Sequence, residues 1–252
     1  MPLTHRLARL GWPLRRLLRS AGLDVVAWGP TSPDWQLMSV IGRRGIGIAL
    51  DVGANRGQYA RHLRQRGFAG TIHSFEPLAA PFAELAKIAD GDDRHQVHRL
   101  AFSDIAGETE IFVGANDQTS SLRRPLGREN AQDGIARAHA VAGMETIRTE
   151  RLDTFLPAHG IDAAGCFLKL DVQGHEMSVL KGAGALLGRF PLLQIELSMR
   201  PIYAGETGFG EFVDFIQRQG FRVRALRPNY FDPDDDTLAQ VDLIAEGPQR
   251  PH

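Results

Sequence analysis

The sequence predicts an α/β protein, a mostly parallel sheet with helices on both faces. Three observations carry this expectation. From residue 46 onward, short β-rich runs alternate with helical patterns. Glycines and ionisable residues collect where those runs end, the place where such sheets bind ligands. The 252 residues are 43% hydrophobic and 23% charged, a globular composition with ample chain for a large core.

Taken in order, Ile46 to Asp51 reads as a strand and Gln58 to Gln65 as a helix. Thr71 to Phe75 reads as a second strand and Pro81 to Ala89 as its helix, completing the βαβ rhythm. Val97 to Phe102 is expected as a third strand, and Glu108 to Val113 as a short one after the turn at Ala106-Gly107. Between 114 and 150 the pattern breaks, and this stretch is expected to be an insertion, a long one beside the sheet's carboxyl edge where specificity is usually carried. In it, Asn116, Ser120 and Ser121 offer hydrogen bonds, and Arg123, Arg124 and Arg128 could meet an anion. Regularity returns with Cys166 to Leu170 as a strand, Glu176 to Leu187 as a helix and Leu192 to Leu197 as a strand. Phe209 to Gln219 is then a helix, with Phe221 to Leu226 and Val241 to Ala245 as the last strands. The main domain is expected over 46–247, followed by a tail over 248–252.

Composition narrows the function. A formal net charge of −1 lacks the basic excess of a general nucleic-acid binder. The single cysteine, Cys166, excludes an intramolecular disulfide and a thiolate zinc cluster, which suits a reducing compartment. No stretch reaches the roughly 20 apolar residues of a membrane span, and Met1 to Ser20 lacks the apolar run of a secretory signal. A cytoplasmic protein is expected. Residues 1–45 nevertheless carry seven arginines against Asp24 and Asp34, a net +5 that leaves −6 on the remainder. Leu7, Leu10, Leu14, Leu17 and Leu18 recur at helical spacing there. This amphipathic segment could pack on the main domain or make a peripheral contact with a membrane or an acidic glycolipid.

The strand ends hold the candidate site. The first runs into Asp51-Val52-Gly53-Ala54-Asn55-Arg56-Gly57, where Gly53 and Gly57 allow a sharp turn onto a helix N-terminus suited to a small anionic group. Asn55 stands where a dinucleotide fingerprint wants glycine, which disfavours pyrophosphate. Glu76 ends the second strand, 25 residues after Asp51, and could accept from a ribose diol. After the third strand, Ser103 and Asp104 lie where an adenine amine could donate. The fourth delivers Lys169, Asp171, Gln173 and His175, the densest chemistry in the chain, with Lys169 and Asp171 on one strand face. Lys169 could also form a structural ion pair with Asp171 or Glu196, with Gln173 or His175 capping the helix. Glu196 ends the fifth strand, so Asp171 and Glu196 could raise one carboxyl pKa or share a divalent cation such as Mg²⁺.

With these pieces in order, the sequence resembles the FkbM family of S-adenosylmethionine-dependent methyltransferases. The carriers are Asp51 to Gly57, Ser74-Phe75-Glu76-Pro77, Leu168 to Glu176 with Val179 to Ala183, Gln194 to Ser198, and Gln240-Val241-Asp242, within roughly residues 46–245. The resemblance implies a seven-stranded class I methyltransferase (Rossmann-like) fold and O-methylation of sugars, polyketides or other hydroxylated metabolites. It implies that Gly53, Asn55 and Gly57, with Asp51, hold the methionine end of the cofactor, Glu76 its ribose, and Asp104 with Ser103 its adenine. His175 stands where the family often has tyrosine.

Methyl transfer is an in-line displacement, and a sugar hydroxyl needs a base within hydrogen-bond reach. Asp171 or His175 is the expected base, with Lys169 and Glu196 setting its pKa and orientation. Mg²⁺ held by Asp171 and Glu196 is the alternative means of activating the hydroxyl. A nicotinamide oxidoreductase is disfavoured by Asn55, and a DNA or RNA methyltransferase by the order of Arg227 to Phe231. A non-catalytic module that only binds the cofactor is the remaining class. The acidic run Asp232 to Asp236 lacks calcium-loop spacing and reads as a solvated loop, while Tyr203 could cover a sugar face or simply pack.

Overall fold

A computed structural model describes residues 28–126 and 139–248, with Arg16 and Ile135 besides. Apart from Arg16, the leucine-bearing stretch 1–20 lies outside the described residues, as does Arg128. No helix among the described residues is long and apolar enough to cross a membrane.

Helix α1 (Pro33–Arg44) starts where the Ser32 hydroxyl accepts from the Trp35 N–H, and it ends at Gly45. There follow β1 (Ile48–Val52), α2 (Gln58–Gln65), β2 (Thr71–Phe75), α3 (Ala79–Ala89) and β3 (His95–His98). A small unit of β4 (Ala101–Phe102), β5 (Gly107–Gly114) and β6 (Val141–Glu150) comes next. The chain then makes α4 (Leu152–Ala158), β7 (Cys166–Leu170), α5 (Glu176–Ala183) and β8 (Leu192–Ser198). Helix α6 (Phe209–Arg218), β9 (Arg222–Phe231) and β10 (Leu238–Glu246) complete it.

The main sheet has seven strands in the order β3-β2-β1-β7-β8-β10-β9. The first five run parallel, and β10 is antiparallel to both neighbours. Alternation of side chains divides the core. Ala49, Ile72, Phe167 and Ile244 face α1 and α2, whereas Leu50, Leu168, Ile195 and Leu243 pack with α4, α5 and α6. Near the carboxyl edge, the first face turns polar. Ser74, Asp51, Lys169 and Gln194 stand side by side in register across four strands.

Several elements differ from the sequence expectation. The anticipated third strand divides into β3 in the main sheet and β4, which pairs instead with β6. The stretch 114–150 contains a ten-residue strand, β6, antiparallel to β5. Only Ile147 and Thr149 are buried along it, so no hydrophobic alternation betrays it. Helix α4 was not anticipated, although Leu152, Phe155 and Leu156 are buried at helical spacing. The last two strands extend beyond their expected bounds because β9 and β10 are adjacent antiparallel strands that pair almost throughout their lengths.

At the far edge, the His73 and His98 rings stack, with Nδ1 of the first 3.2 Å from Nε2 of the second. Burial, with His73 and then His159 nearby, pushes the His98 pKa down to about 4. The unfolded chain, with His near 6.5, therefore binds more protons between those values, and stability is lost as pH falls from about 6.5 towards 4. His98→Phe should flatten this acid slope relative to the native chain. Urea unfolding at several pH values between these limits checks it, and equal slopes would refute it.

Candidate active site

The carboxyl edge opens into a cavity of about 570 Å³, within the roughly 300–1,000 Å³ of small-molecule sites. Its floor is the loop after β1. Gly53 adopts φ 77°, and a Cβ there would lie 1.8 Å from the Asp171 carbonyl oxygen, so only glycine lets the ends of β1 and β7 approach. Gly57 starts α2 at φ 79° against Leu85 of α3, outside the cavity lining.

Lys169 is the charge centre. Its Nζ lies 3.1 Å from Asp51 Oδ1 and 3.5 Å from Asp171 Oδ2, and it donates to the Gly53 carbonyl at 3.1 Å. Burial opposes the ammonium, but Asp51 and then Asp171 outweigh it and hold its pKa above the ordinary range. The Asp51 side chain is 1% exposed and that of Lys169 7%, against 35% for Asp171. Asp51 also accepts from Ser74 and lies beneath the cavity rather than on its wall.

Two walls rise from this floor. On one, both oxygens of Glu76 accept backbone N–H groups, from Asn55 and Leu78, each at 2.9 Å. Burial pushes the Glu76 pKa up to about 7 despite these bonds. Apolar Phe75, Leu78, Leu100 and Phe102 continue this wall. Asn55 holds a left-handed φ of 48°. On the other wall, Gln173 links two carboxyl groups, donating to Asp171 at 2.9 Å and to Glu196 at 2.6 Å. Glu196 also accepts from Gln240 at 3.1 Å and from Asn229. Burial, and then Asp171 and Asp242, raise the Glu196 pKa well above the carboxylate range.

The remaining expected residues are placed differently. His175 lines the cavity, but its Nε2 lies 3.0 Å from the Ser103 hydroxyl, which donates to Asp104. Its Nδ1 is buried without a hydrogen-bond partner among the described residues, and burial, then Arg123, pushes its pKa down to about 4. Ser103 and Asp104 stand behind His175, outside the cavity lining. Asn116, Ser120 and Ser121 line the cavity, whereas Arg123 turns away to the carbonyls of Ala204 and Gly205. Tyr203 covers nothing from outside. It is fully buried, and its hydroxyl donates to Gln173 Oε1 at 2.8 Å.

Tyr59 and Asn229 were not anticipated. The Tyr59 hydroxyl donates to Gln194 at 2.7 Å while its ring lies 5.2 Å from Lys169 Nζ. Neither residue carries a local signal. The available clue was the polar interruption of apolar strands at Gln194, Gln240 and Asp242, since buried polar groups need partners.

A glycine loop after β1, an acid after β2 and a sheet with one reversed strand define a class I, Rossmann-like methyltransferase dependent on S-adenosylmethionine. The family model for the methyltransferase FkbM domain matches residues 51–223. The chain is 31% identical over 207 residues to the 31-O-demethyl-FK506 methyltransferase FkbM of Streptomyces tacrolimicus, covering 73% of this chain and 76% of that protein. It is 23% identical over 176 residues to the 2-O-methyltransferase NoeI of Sinorhizobium fredii, covering 67% and 70%. Among solved structures, Sp1610 of Streptococcus pneumoniae in complex with S-adenosyl-L-methionine is similar at a TM-score of 0.45 and 14% identity, over 86% of this chain and 74% of that one. The chain belongs to the FkbM methyltransferase family.

The donor set fits the cofactor. A strand-end carboxylate, Glu76, stands beside a flat apolar wall suited to an aromatic base, above a loop rich in backbone groups. A divalent cation shared by Asp171 and Glu196 fits poorly, because three amide N–H groups take up most of the acceptor sites of Glu196 and the Lys169 ammonium already stands 3.5 Å from Asp171. Among the described residues, no three His, Cys, Asp or Glu side chains converge on a metal position.

Lys169→Met should leave Asp51 buried and unpaired, lowering the unfolding free energy by about 3–5 kcal/mol. Guanidinium unfolding measures this, and adding Asp51→Asn should restore part of the loss.

Proposed function

We propose that this methyltransferase transfers a methyl group to a hydroxyl of a sugar, a glycolipid or polysaccharide, or a polyketide-type metabolite, with Asp171 as the general base. One observation carries the reading. Asp171 is a cavity-wall carboxylate, a third exposed, held beside a buried ammonium at 3.5 Å. His175 is the weaker candidate, since its ring faces the Ser103 hydroxyl. The names of the two relatives, a 2-O-methyltransferase and a 31-O-demethyl-FK506 methyltransferase, support an oxygen acceptor.

S-adenosylmethionine supplies an electrophilic methyl group on a sulfonium. The chain's own residues supply position and proton transfer. When the cofactor is bound, Glu76 would accept from its ribose hydroxyls, the Gly53 to Asn55 loop would hold its methionine end, and the Leu100 to Phe102 wall would take its adenine, all of them residues of the cavity lining. Asp171 accepts the acceptor hydroxyl's proton as the new bond forms, and Lys169 compensates its charge. Asn116, Ser120 and Ser121, from the stretch between β5 and β6, face the acceptor. The arginine-bearing segment before α1 remains the proposed membrane or glycolipid contact.

Two measurements test this. Because an ionised Glu76 is needed to accept two hydroxyls, calorimetric affinity for S-adenosylhomocysteine should fall about tenfold per unit below pH 7. Glu76→Gln should bind about 10- to 100-fold more weakly at neutral pH and lose that dependence. Screening hydroxylated acceptors by mass for methyl addition should find turnover that chelators leave intact and Asp171→Asn abolishes, whereas His175→Ala retains it. Full turnover in Asp171→Asn ends the assignment, and cofactor binding without turnover on any acceptor points to a non-catalytic module.

A further inference from the structure

Gln173 is an unusual residue to find where it is. It lies between β7 and α5 in a left-handed conformation, φ 54°, that an L side chain adopts only under constraint, and it is buried. A primary amide has two N–H donors and one carbonyl acceptor, and all three are used here. The two carboxyl groups, Asp171 and Glu196, take the donors, and the Tyr203 hydroxyl donates to the carbonyl. Reversing the amide would set its oxygen against both carboxyl groups and leave the Tyr203 proton facing an N–H group, so one orientation is enforced. The backbone is secured as well. The Ser121 hydroxyl donates to the Gln173 carbonyl at 2.6 Å, and Gly174, at φ 89°, leaves room for the Tyr203 ring, which a Cβ would approach to 2.8 Å.

We propose that Gln173 is the positioning residue of the acceptor end: its amide, oriented by Tyr203, aims the Asp171 carboxylate at the acceptor hydroxyl and ties it to Glu196 on the adjacent strand. This rests on the reading of Asp171 as base. The groups facing the pair are Lys169 on β7, Asp242 on β10, Glu176 at the start of α5, and Tyr203. Glu196 is further held by Gln240 and Asn229, from β10 and β9. Asp171 is met by the Gln173 amide at 2.9 Å, by the Lys169 ammonium at 3.5 Å, and by the neighbouring Glu196 carboxyl group, which the same amide holds. One amide nitrogen donates to both carboxyl groups, so it fixes Asp171 and Glu196 relative to each other.

Carboxyl ¹³C NMR of the full chain labelled at Asp and Glu, titrated from about pH 4 to about pH 9, reads this without an acceptor. Gln173→Met keeps the chain length and removes both donors, so Glu196 should gain about tenfold or more in proton affinity and the Asp171 resonance should move with it. Tyr203→Phe keeps the ring and should move the same resonances in the same direction by less, which carries the test if Gln173→Met does not fold. Affinity for S-adenosylhomocysteine should change less than about twofold in both, because the network lies on the wall opposite Glu76. A folded variant that titrates like the native chain overturns the positioning role. If it does so while Asp171→Asn has no turnover, the base assignment survives alone; full turnover in Asp171→Asn fails the base assignment separately.

Discussion

The Lys169 ammonium, bounded by Asp51 at 3.1 Å, the Gly53 carbonyl at 3.1 Å and Asp171 at 3.5 Å, is buried where an unpaired charge would cost several kcal/mol. That cost ties strand register to chemistry. Asp51 meets Lys169 because β1 and β7 pair in parallel with these residues opposite each other. A slip of one residue would bring Leu168 or Leu170 opposite Asp51 and turn Lys169 into the apolar face. The same register brings Gly53 against the Asp171 carbonyl, and this contact forms the floor on which both cavity walls stand.

From that floor the chemistry separates by side. Glu76 is clamped by two backbone N–H groups, so its carboxyl group shapes two loops as well as the cavity. Asp171 and Glu196, on the other side, are tied by side-chain amides rather than by backbone. Amides can satisfy a carboxyl group without adding charge, and this lets two acidic groups sit close together beside a single ammonium. The arrangement suits a site in which one wall binds and the other moves a proton.

Legibility follows burial. Strand β7 could be read to the residue because Cys166 to Leu170 are all buried, and β2 because four of its five residues are. Strand β6 escaped because Val141 to Met144 are exposed on both faces and only Ile147 and Thr149 are buried, so its sequence shows no alternation. The strand-end residues Glu76, Lys169, Asp171 and Glu196 stood out because ionisable groups interrupt apolar runs. Tyr59 and Asn229 did not, since a lone aromatic on a helix or an amide on a half-buried strand has many uses, and the sequence marks Tyr203 but not its bond to Gln173. Their partners are 30 to 135 residues away along the chain.

Read alone, the residues set the alternation of strands and helices, the sharp turn after β1 and the acidic character of the strand ends, because each depends on local periodicity and residue type. Folding decided which of those ends face one another. The reversed β10 brings Gln240 and Asp242 to the edge where β8 ends, and the loop holding Tyr203 comes beneath Gln173. It also set His175 against Ser103 and away from the carboxyl pair, a choice made by the packing of α5 on β4, where Gly182 lies close to the Ser103 carbonyl. Such contacts join segments far apart in sequence, so they follow from the closing of the sheet and from no local pattern.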